Sequence, residues 1–210
     1  MAPRRPGPPR RTVSGKARRR EIVVFTEGIK TEIQYLNHWY RLNRASVLVT
    51  FGDFHGTPLP LVEHAVARKS TDEREERKGR GTAPAETWCI FDTDEHPSIP
   101  EALDLAAKGG VSVAVSNPCL ELWFLIHFQD QTAWIHRHSA QSATGRFLSA
   151  GKSLTPGDLT KLQARHSEAR SRAQALAVMH ERNGNASSEN PSSSVWRLVD
   201  SIVQPTKPTK

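Results

Sequence analysis

The sequence predicts an α/β protein: a parallel sheet of about four strands flanked by helices, followed by a helical extension. Two observations carry this prediction. Short apolar, β-branched runs alternate with helical segments over residues 21–128, and the connections between them are short. Alternation of this kind favours parallel strands joined by crossover helices that cover both faces of the sheet. Beyond residue 128 the strand-like runs stop and helical patterns continue.

Four runs have the composition of buried strands. Each is short, rich in Val, Ile or aromatic residues, and bounded by polar or glycine-containing segments, as buried strands are. The predicted strands are EIVVFT (21–26), SVLVTF (46–51), ETWCIFD (86–92) and VSVAV (111–115).

Helices are predicted between the strands and after them. The first, from about Lys30 to Arg44, spaces its apolar residues three or four apart. Asn117 and Pro118 are predicted to cap and begin an apolar helix, CLELWFLIHF, because Asn suits the cap and Pro the first turn. The other predicted helices are 59–70, fading into the charge run 72–81, then 100–109, a short one near 139–149, a long polar one over 157–182, and SVWRLVDSIV, capped by Asn190-Pro191-Ser192.

Charge divides the chain into a tail and a body. Residues 1–20 hold eight Lys or Arg and no acid, which leaves 21 basic against 22 acidic residues elsewhere. We therefore expect a disordered basic tail (1–20), an α/β core (21–128), a helical extension packed on that core (129–203) and a disordered C-terminus (204–210). The tail is either a solvated arm or an anchor for phosphate backbones, in which case Arg18, Arg19 and Arg20 bind nucleic acid.

Composition excludes several other classes of protein. The longest apolar run, near LWFLIHF, is far shorter than the roughly 20 residues of a membrane span. Two cysteines in apolar stretches, with no zinc-type spacing, indicate reduced thiols in a cytoplasmic protein. No apolar segment follows the N-terminal arginines as a secretion signal requires.

Acidic residues follow the first and third predicted strands. Glu27 comes at a turn with Gly28 after strand one, and Asp92 and Asp94 come at the end of strand three. Because the carboxyl ends of parallel strands share one edge of the sheet, these carboxylates are expected to converge there. A divalent cation relieves their mutual repulsion, and oxygen donors suit Mg²⁺ or Mn²⁺. The pattern indicates phosphoryl-transfer chemistry, with caps and loop surface as the alternative interpretation.

Four motifs in order carry a resemblance to a known family. They are VVFTEGIKTEIQYL, FDTDEH, SNPCLELWFLIHF and the terminal NPSSSVWRLV, and together they span about residues 20–203. The Glu-Gly turn with a later D-x-D resembles the Toprim domain of topoisomerases, primases and overcoming-lysogenization-defect nucleases. The full set resembles the RloB family, a Toprim-like group of restriction and abortive-infection loci, often encoded beside an AAA-type ATPase. The resemblance implies a catalytic Glu27, with Asp92 and Asp94 holding Mg²⁺.

The resemblance also draws attention to residues that have ordinary explanations. Glu121 is expected to be a further metal ligand, or else a hydrogen-bonded acid in an apolar helix. The resemblance assigns accessory roles to Glu32 and His127. His96, which directly follows the D-x-D, and Asn117, which precedes the apolar helix, are added as accessory residues on their positions alone. The alternatives are a favourable helix dipole for Glu32, loop surface for His96, helix placement for Asn117 and a core position for His127.

The sequence is compatible with two functions. The first is a metal-dependent nuclease that hydrolyses nucleic-acid phosphodiesters in bacterial anti-phage defence. The second is a conditional or non-catalytic partner subunit of an AAA-type ATPase in an abortive-infection system, which the near-neutral body favours. DNA and RNA, including transfer RNA, are equally open as substrates, because all offer the same phosphodiester. No aromatic and basic pattern typical of single-strand binders is evident. No membrane partner is expected. Asp53 and His55, after strand two, are interpreted as loop residues.

Overall fold

The sheet at the centre of the molecule has five strands. The computed structural model describes residues 19–93, 96–149 and 153–204. The strand order is β2-β1-β3-β4-β5. Strands β1 to β4 are parallel to one another, and β5 pairs antiparallel with β4. The strands are β1 (Arg20–Thr26), β2 (Val47–Phe51), β3 (Glu86–Asp92), β4 (Ser112–Asn117) and β5 (Ser192–Ser193).

Helices cover both faces of this sheet, which confirms the predicted α/β class. The number of strands was wrong by one, because β5 has two residues and no periodicity from which a strand can be predicted. In the described part of the chain, no helix is both long and apolar enough to cross a membrane. The helices are α1 (Thr31–Asn43), α2 (Pro58–Arg77), α3 (Ile99–Gly109), α4 (Leu120–Leu125), α5 (Arg137–Thr144), α6 (Pro156–Ala164), α7 (His166–Arg182) and α8 (Val195–Val203).

Strand β1 shows how the sheet is buried on both sides. Ile22 and Val24 belong to the cluster formed with α1, α4, α7 and α8, whereas Val23 and Phe25 belong to the cluster formed with α2 and α3. All four side chains are buried. Burial of each such side chain contributes about 1.5–3 kcal/mol, so the strand is fixed in register from both faces.

The predicted helix start at Asn117 was wrong. Asn117 is the last residue of β4, where it pairs with Ser192, and its side-chain amide donates to the carbonyl of Ser188. Its side chain therefore binds a loop and does not cap a helix. Helix α4 begins three residues later, after Cys119. Helix α4 is also shorter than predicted, since it ends at Leu125 and turns follow it.

The predicted cap at Asn190 was wrong for a similar reason. The Asn190 amide accepts a hydrogen bond from Ile135 N (3.0 Å) and donates one to Ile135 O (2.9 Å). It therefore ties two distant segments together instead of capping a helix. Ser192 and Ser193 form β5, and α8 begins only at Val195.

The long helix predicted over 157–182 is divided in two. Helix α6 begins with a capping box between Thr155 and Asp158 and ends at Ala164, and α7 begins at His166. The break at Arg165 is a single residue with φ −111° and ψ 12°. No Gly or Pro lies there, so the sequence carries no conventional signal for it.

The C-terminal elements share the core of the sheet. Leu198 and Ile202 of α8 are fully buried in the same cluster as Ile22 and Val24. The division of the chain into a core (21–128), an extension (129–203) and two terminal segments (1–20 and 204–210) stays a prediction. Residues 1–18 and 205–210 lie outside the described residues.

Candidate active site

The turn between β1 and α1 is held by its own polar groups. The Thr26 hydroxyl donates to Gly28 O (2.7 Å), and Gly28 N donates to the Glu32 carboxylate (3.1 Å). A Cβ on Gly28 would meet the Glu32 carboxylate oxygens at 2.5 Å, so glycine permits this close approach. The first turn of α1 thereby places a second carboxylate directly beside Glu27.

Glu27 connects the ends of two neighbouring strands. Its backbone N–H donates to Ile90 O (3.1 Å), and its carboxylate accepts a hydrogen bond from Asp92 N (3.0 Å). The second carboxylate oxygen lies 3.3 Å from His96 Nε2. The structure thus brings Glu27, Asp92 and His96 together at the carboxyl edge of the sheet.

Glu32 and Glu121 extend this acidic region towards α4. Burial raises the pKa of Glu32 above its ordinary value, and two backbone hydrogen bonds partly offset that effect. The negative charges of Glu27 and Glu121 raise the pKa of Glu32 further. Glu32 is bound to Gly28 N, next to Glu27, and Glu32 and Glu121 line the same cleft.

Cys119 lies among the same acids. Burial raises the pKa of its thiol, and the negative charges of Glu121 and Asp92 raise it further. Its Sγ also lies 4.0 Å from the carbonyl of Arg137, the first residue of α5. The thiol is fully buried and is therefore a packing group between the acidic edge and α5.

A cleft of about 680 Å³ opens beside the acids. Glu32 and Glu121 line one side of it, and Gln141, Thr144 and Ser149 of α5 and the loop after it line the other. The Thr144 hydroxyl donates to Glu121 O (2.9 Å) and fixes α5 against α4. Glu32 and Glu121 are therefore reached from solvent through this cleft.

Two other predicted site residues are held by contacts outside the Glu27 cluster. His127 is fully buried, with Nδ1 2.8 Å from Trp123 O and its ring against Trp123 and His166, as a core histidine would be. Asn117 ends β4 at the same edge, where Asp92 is in register with Ser116, but its side-chain amide donates to Ser188 O. Asp94 and Arg18 lie outside the described residues, so their predicted roles stay predictions.

Arg19 and Arg20 are part of the fold rather than of a free tail. The Arg19 guanidinium donates to Arg44 O (3.1 Å), and that of Arg20 pairs with Glu86 (3.0 Å) and donates to Ser201 O. Arg20 is the first residue of β1, so it lies about 20 Å from Glu27, at the opposite end of the strand. Their predicted contact with nucleic acid stays a prediction.

His55 lies in a loop, as predicted, but it also contacts the candidate site. Its Nδ1 lies 2.9 Å from Thr26 O and 3.2 Å from the Thr26 hydroxyl, so it braces the turn that carries Glu27. Its position after a predicted strand was the signal that could have identified it. Because β2 is parallel to β1 and adjacent to it, a residue just after β2, such as His55, reaches the same carboxyl edge as Glu27. Asp53, two residues earlier, is exposed.

The side chains of Glu27, Asp92 and Glu121 are carboxylates, and oxygen donors of this type suit a hard cation such as Mg²⁺ or Mn²⁺. Within residues 19–93, 96–149 and 153–204, however, no three His, Cys, Asp or Glu side chains are grouped so as to hold a metal ion. Asp94, the remaining predicted ligand, lies outside the described residues.

Fold and edge together define an α/β protein with an acidic cluster at the carboxyl ends of its central strands. The family model described as RloB-like protein matches residues 22–202, so this chain belongs to the RloB-like family. Comparisons with curated proteins and with solved structures found no match.

Proposed function

We propose that this protein is a nuclease that hydrolyses nucleic-acid phosphodiesters with the help of Mg²⁺ or Mn²⁺. The observation that carries the proposal is the hydrogen bond from the backbone N–H of Asp92 to the Glu27 carboxylate (3.0 Å). This bond places both residues at the edge where a parallel sheet gathers its reactive groups. Glu32 and Glu121 bring further negative charge to the same edge. Acids gathered at this density suit a cation and the phosphate that it would accompany.

The proposed ligands are Asp92, Asp94, Glu27 and Glu121. A cation bound there would offset phosphate charge and make a bound water more acidic. Glu27 has a second role as the general base or acid, because its carboxylate is held by Asp92 N and faces His96. His96 orients that carboxylate and can share its proton, and Glu32 holds the turn in place through Gly28 N.

The biological setting of this activity is part of the proposal. The resemblance of the four sequence motifs to restriction and abortive-infection proteins supports a role in anti-phage defence. DNA and RNA contain the same reactive bond, so the site chemistry admits either as the substrate.

A metal-dependence assay tests the nuclease directly. Purified protein is incubated with supercoiled plasmid or with total transfer RNA, in Mg²⁺, Mn²⁺ or EDTA. We expect cleavage in the metal-containing samples only, and its loss in Asp92→Asn. Asp104→Asn is the matched control, because that carboxylate is exposed on α3 and pairs only with Lys108 among the described contacts. Cleavage that survives in EDTA or in Asp92→Asn would exclude this mechanism.

A second candidate function is that of a subunit that acts only with an AAA-type ATPase. The observation that favours it is the near-neutral charge of residues 21–210, since free nucleases usually attract their polyanionic substrate with net positive charge. An isolated chain that binds Mn²⁺ but cleaves only after addition of the ATPase would favour this function. Cleavage by the isolated chain would count against it.

A further inference from the structure

The longest stretch of the body without an acid is residues 131–157. Residues 131–157 contain three Lys or Arg and two His, but no Asp or Glu. The body as a whole is close to neutral, so this stretch is a local region of positive charge. It includes α5, which lies against the acidic edge of the sheet.

Trp134 presents an exposed indole at the start of this stretch. Its side chain is 68% exposed, the largest exposure among the large hydrophobic residues that the structure describes. The next residue, Ile135, is buried, and both its N–H and its carbonyl are bound by Asn190. The backbone is therefore fixed, and it holds the indole in solvent.

Two imidazoles continue the line of rings from Trp134. The ring centroids of Trp134 and His136 lie 6.3 Å apart, and those of His136 and His138 lie 5.1 Å apart. His136 and His138 are exposed, and His136 caps α5 by accepting from His138 N. We call Trp134, His136 and His138 the ring platform.

The ring platform lies next to the acidic edge. Arg137, between the two histidines, has its carbonyl 4.0 Å from Cys119 Sγ, and Cys119 is subject to the charges of Asp92 and Glu121. Helix α5 then runs from the ring platform to Thr144, which is bound to Glu121 O. A chain molecule lying along α5 would therefore pass from the rings to the cleft of Glu32 and Glu121.

We propose that the ring platform binds an unpaired nucleic-acid strand, with one base stacked on Trp134 and the next phosphates directed along α5 towards the cleft. This rests on the proposed nuclease function and specifies its substrate as single-stranded or locally unpaired. Bases within a duplex have their faces covered, whereas an unpaired base can stack on an exposed aromatic ring. The absence of acids over residues 131–157 favours a phosphate backbone over a cationic partner.

The test measures binding in EDTA, so that it does not depend on cleavage. Labelled oligothymidine and oligouridine of about 20 nucleotides, a duplex of the same length and heparin are titrated into the full-length protein at physiological salt. The variants are Trp134→Ala and Trp134→Phe. Leu42→Ala is the control, because Leu42 is also an exposed apolar residue (53%) but lies at the end of α1.

We expect Trp134→Ala to weaken binding of single strands by about tenfold, as loss of one base stack does. Trp134→Phe should retain most of the affinity, and Leu42→Ala all of it. Heparin, which has no bases, should bind the wild type and Trp134→Ala equally. A variant Trp134→Ala that binds single strands like the wild type would overturn the proposal.

Acrylamide quenching supplies a second measurement that the basic tail cannot obscure. Trp39, Trp88 and Trp123 are buried and Trp196 of α8 is partly exposed, so Trp134 is the most exposed of the five indoles. Bound oligonucleotide should shield it, and this shielding should be absent in Trp134→Ala. Strand binding that leaves quenching unchanged would overturn the proposal even where cleavage occurs. Shielding of Trp134 without cleavage in Mg²⁺ would support the ring platform and count against the nuclease.

Discussion

The carboxylate of Glu27 accepts a hydrogen bond from the backbone N–H of Asp92 at 3.0 Å. The two residues are neighbours because β1 and β3 are parallel and adjacent, with Thr26 in register with Ile90. A backbone donor fixes the Glu27 carboxylate without neutralising it. Its other oxygen remains directed at His96, where a substrate could approach.

Replacement of this carboxylate by an amide should separate chemistry from folding. In Glu27→Gln the side-chain carbonyl can still accept from Asp92 N, so the fold and the thermal midpoint should change little. Loss of proton transfer should lower the cleavage rate by at least about 100-fold. The measurements are single-turnover cleavage of plasmid and thermal unfolding. Full activity in the variant, or loss of the folded state, would contradict the role given to Glu27.

The sequence placed Glu27 and Asp92 correctly because both follow strands with clear apolar patterns. The carboxyl ends of parallel strands meet at one edge whatever the loops do, so local patterns sufficed. The starts of the helices after β4 and β5 could not be predicted in this way, because the side chains of Asn117 and Asn190 bind distant backbone groups and cap no helix. Asparagine is used both as a helix cap and in long-range hydrogen bonds to the backbone, and only the tertiary structure distinguishes the two uses.

The ring platform shows the same limit in another form. Alternating Trp, His and His residues are visible in the sequence, but whether Trp134 is buried depends on the loop that carries Asn190. Exposure is a property of the assembled surface. A sequence pattern alone could not distinguish this residue from a core tryptophan such as Trp123.

The close approach of Gly28 and Glu32 predicts a coupled pair of substitutions. In Gly28→Ala the new methyl group would displace the Glu32 carboxylate and break its hydrogen bond to Gly28 N, which should cost about 0.5–1.5 kcal/mol of unfolding free energy. In a Glu32→Ala background there is no carboxylate to displace, so the same glycine substitution should cost much less. Urea unfolding of the two single variants and the double variant measures the coupling. Strictly additive effects would mean that the two residues do not meet.

Glu86 should be important for attachment of α8 to the sheet. Its carboxylate accepts from Arg20 (3.0 Å), from the Trp88 indole (2.7 Å) and from the Ser201 hydroxyl (2.6 Å). Glu86→Ala leaves three partly buried donors without this acceptor and should cost about 2 kcal/mol or more. Glu86→Gln keeps one acceptor oxygen and should cost less. Equal urea midpoints for wild type and Glu86→Ala would exclude this role.

The two thiols should be unreactive in the folded protein. Burial raises the pKa of Cys89 to about 12 and raises that of Cys119 as well, so neither forms the thiolate that reacts at neutral pH. Iodoacetamide followed by mass spectrometry should show no modification in native buffer and two modifications in urea. Rapid labelling of native Cys119 would mean that the contact between α4 and α5 opens in solution.

His127 should make the fold sensitive to acid. Burial lowers its pKa to about 3, from an ordinary value of 6.5, and the positive charge of Arg172 contributes to the shift. Because the folded state keeps this imidazole neutral, the unfolded chain binds more protons at acidic pH, and stability must fall as pH decreases. The loss begins near pH 6.5 and continues to about pH 3, at roughly 1 kcal/mol for each pH unit.

The variant His127→Leu isolates this contribution from those of other groups. Wild type and variant are unfolded in urea at several pH values between neutral and about 4, where the difference in unfolding free energy should shift steadily in favour of the variant. His166, whose pKa burial also lowers, remains in both proteins and leaves part of the acid sensitivity intact. His138→Leu is the exposed control and should follow the wild type. Parallel curves for wild type and His127→Leu would mean that His127 is already protonated in the folded state or hydrated there.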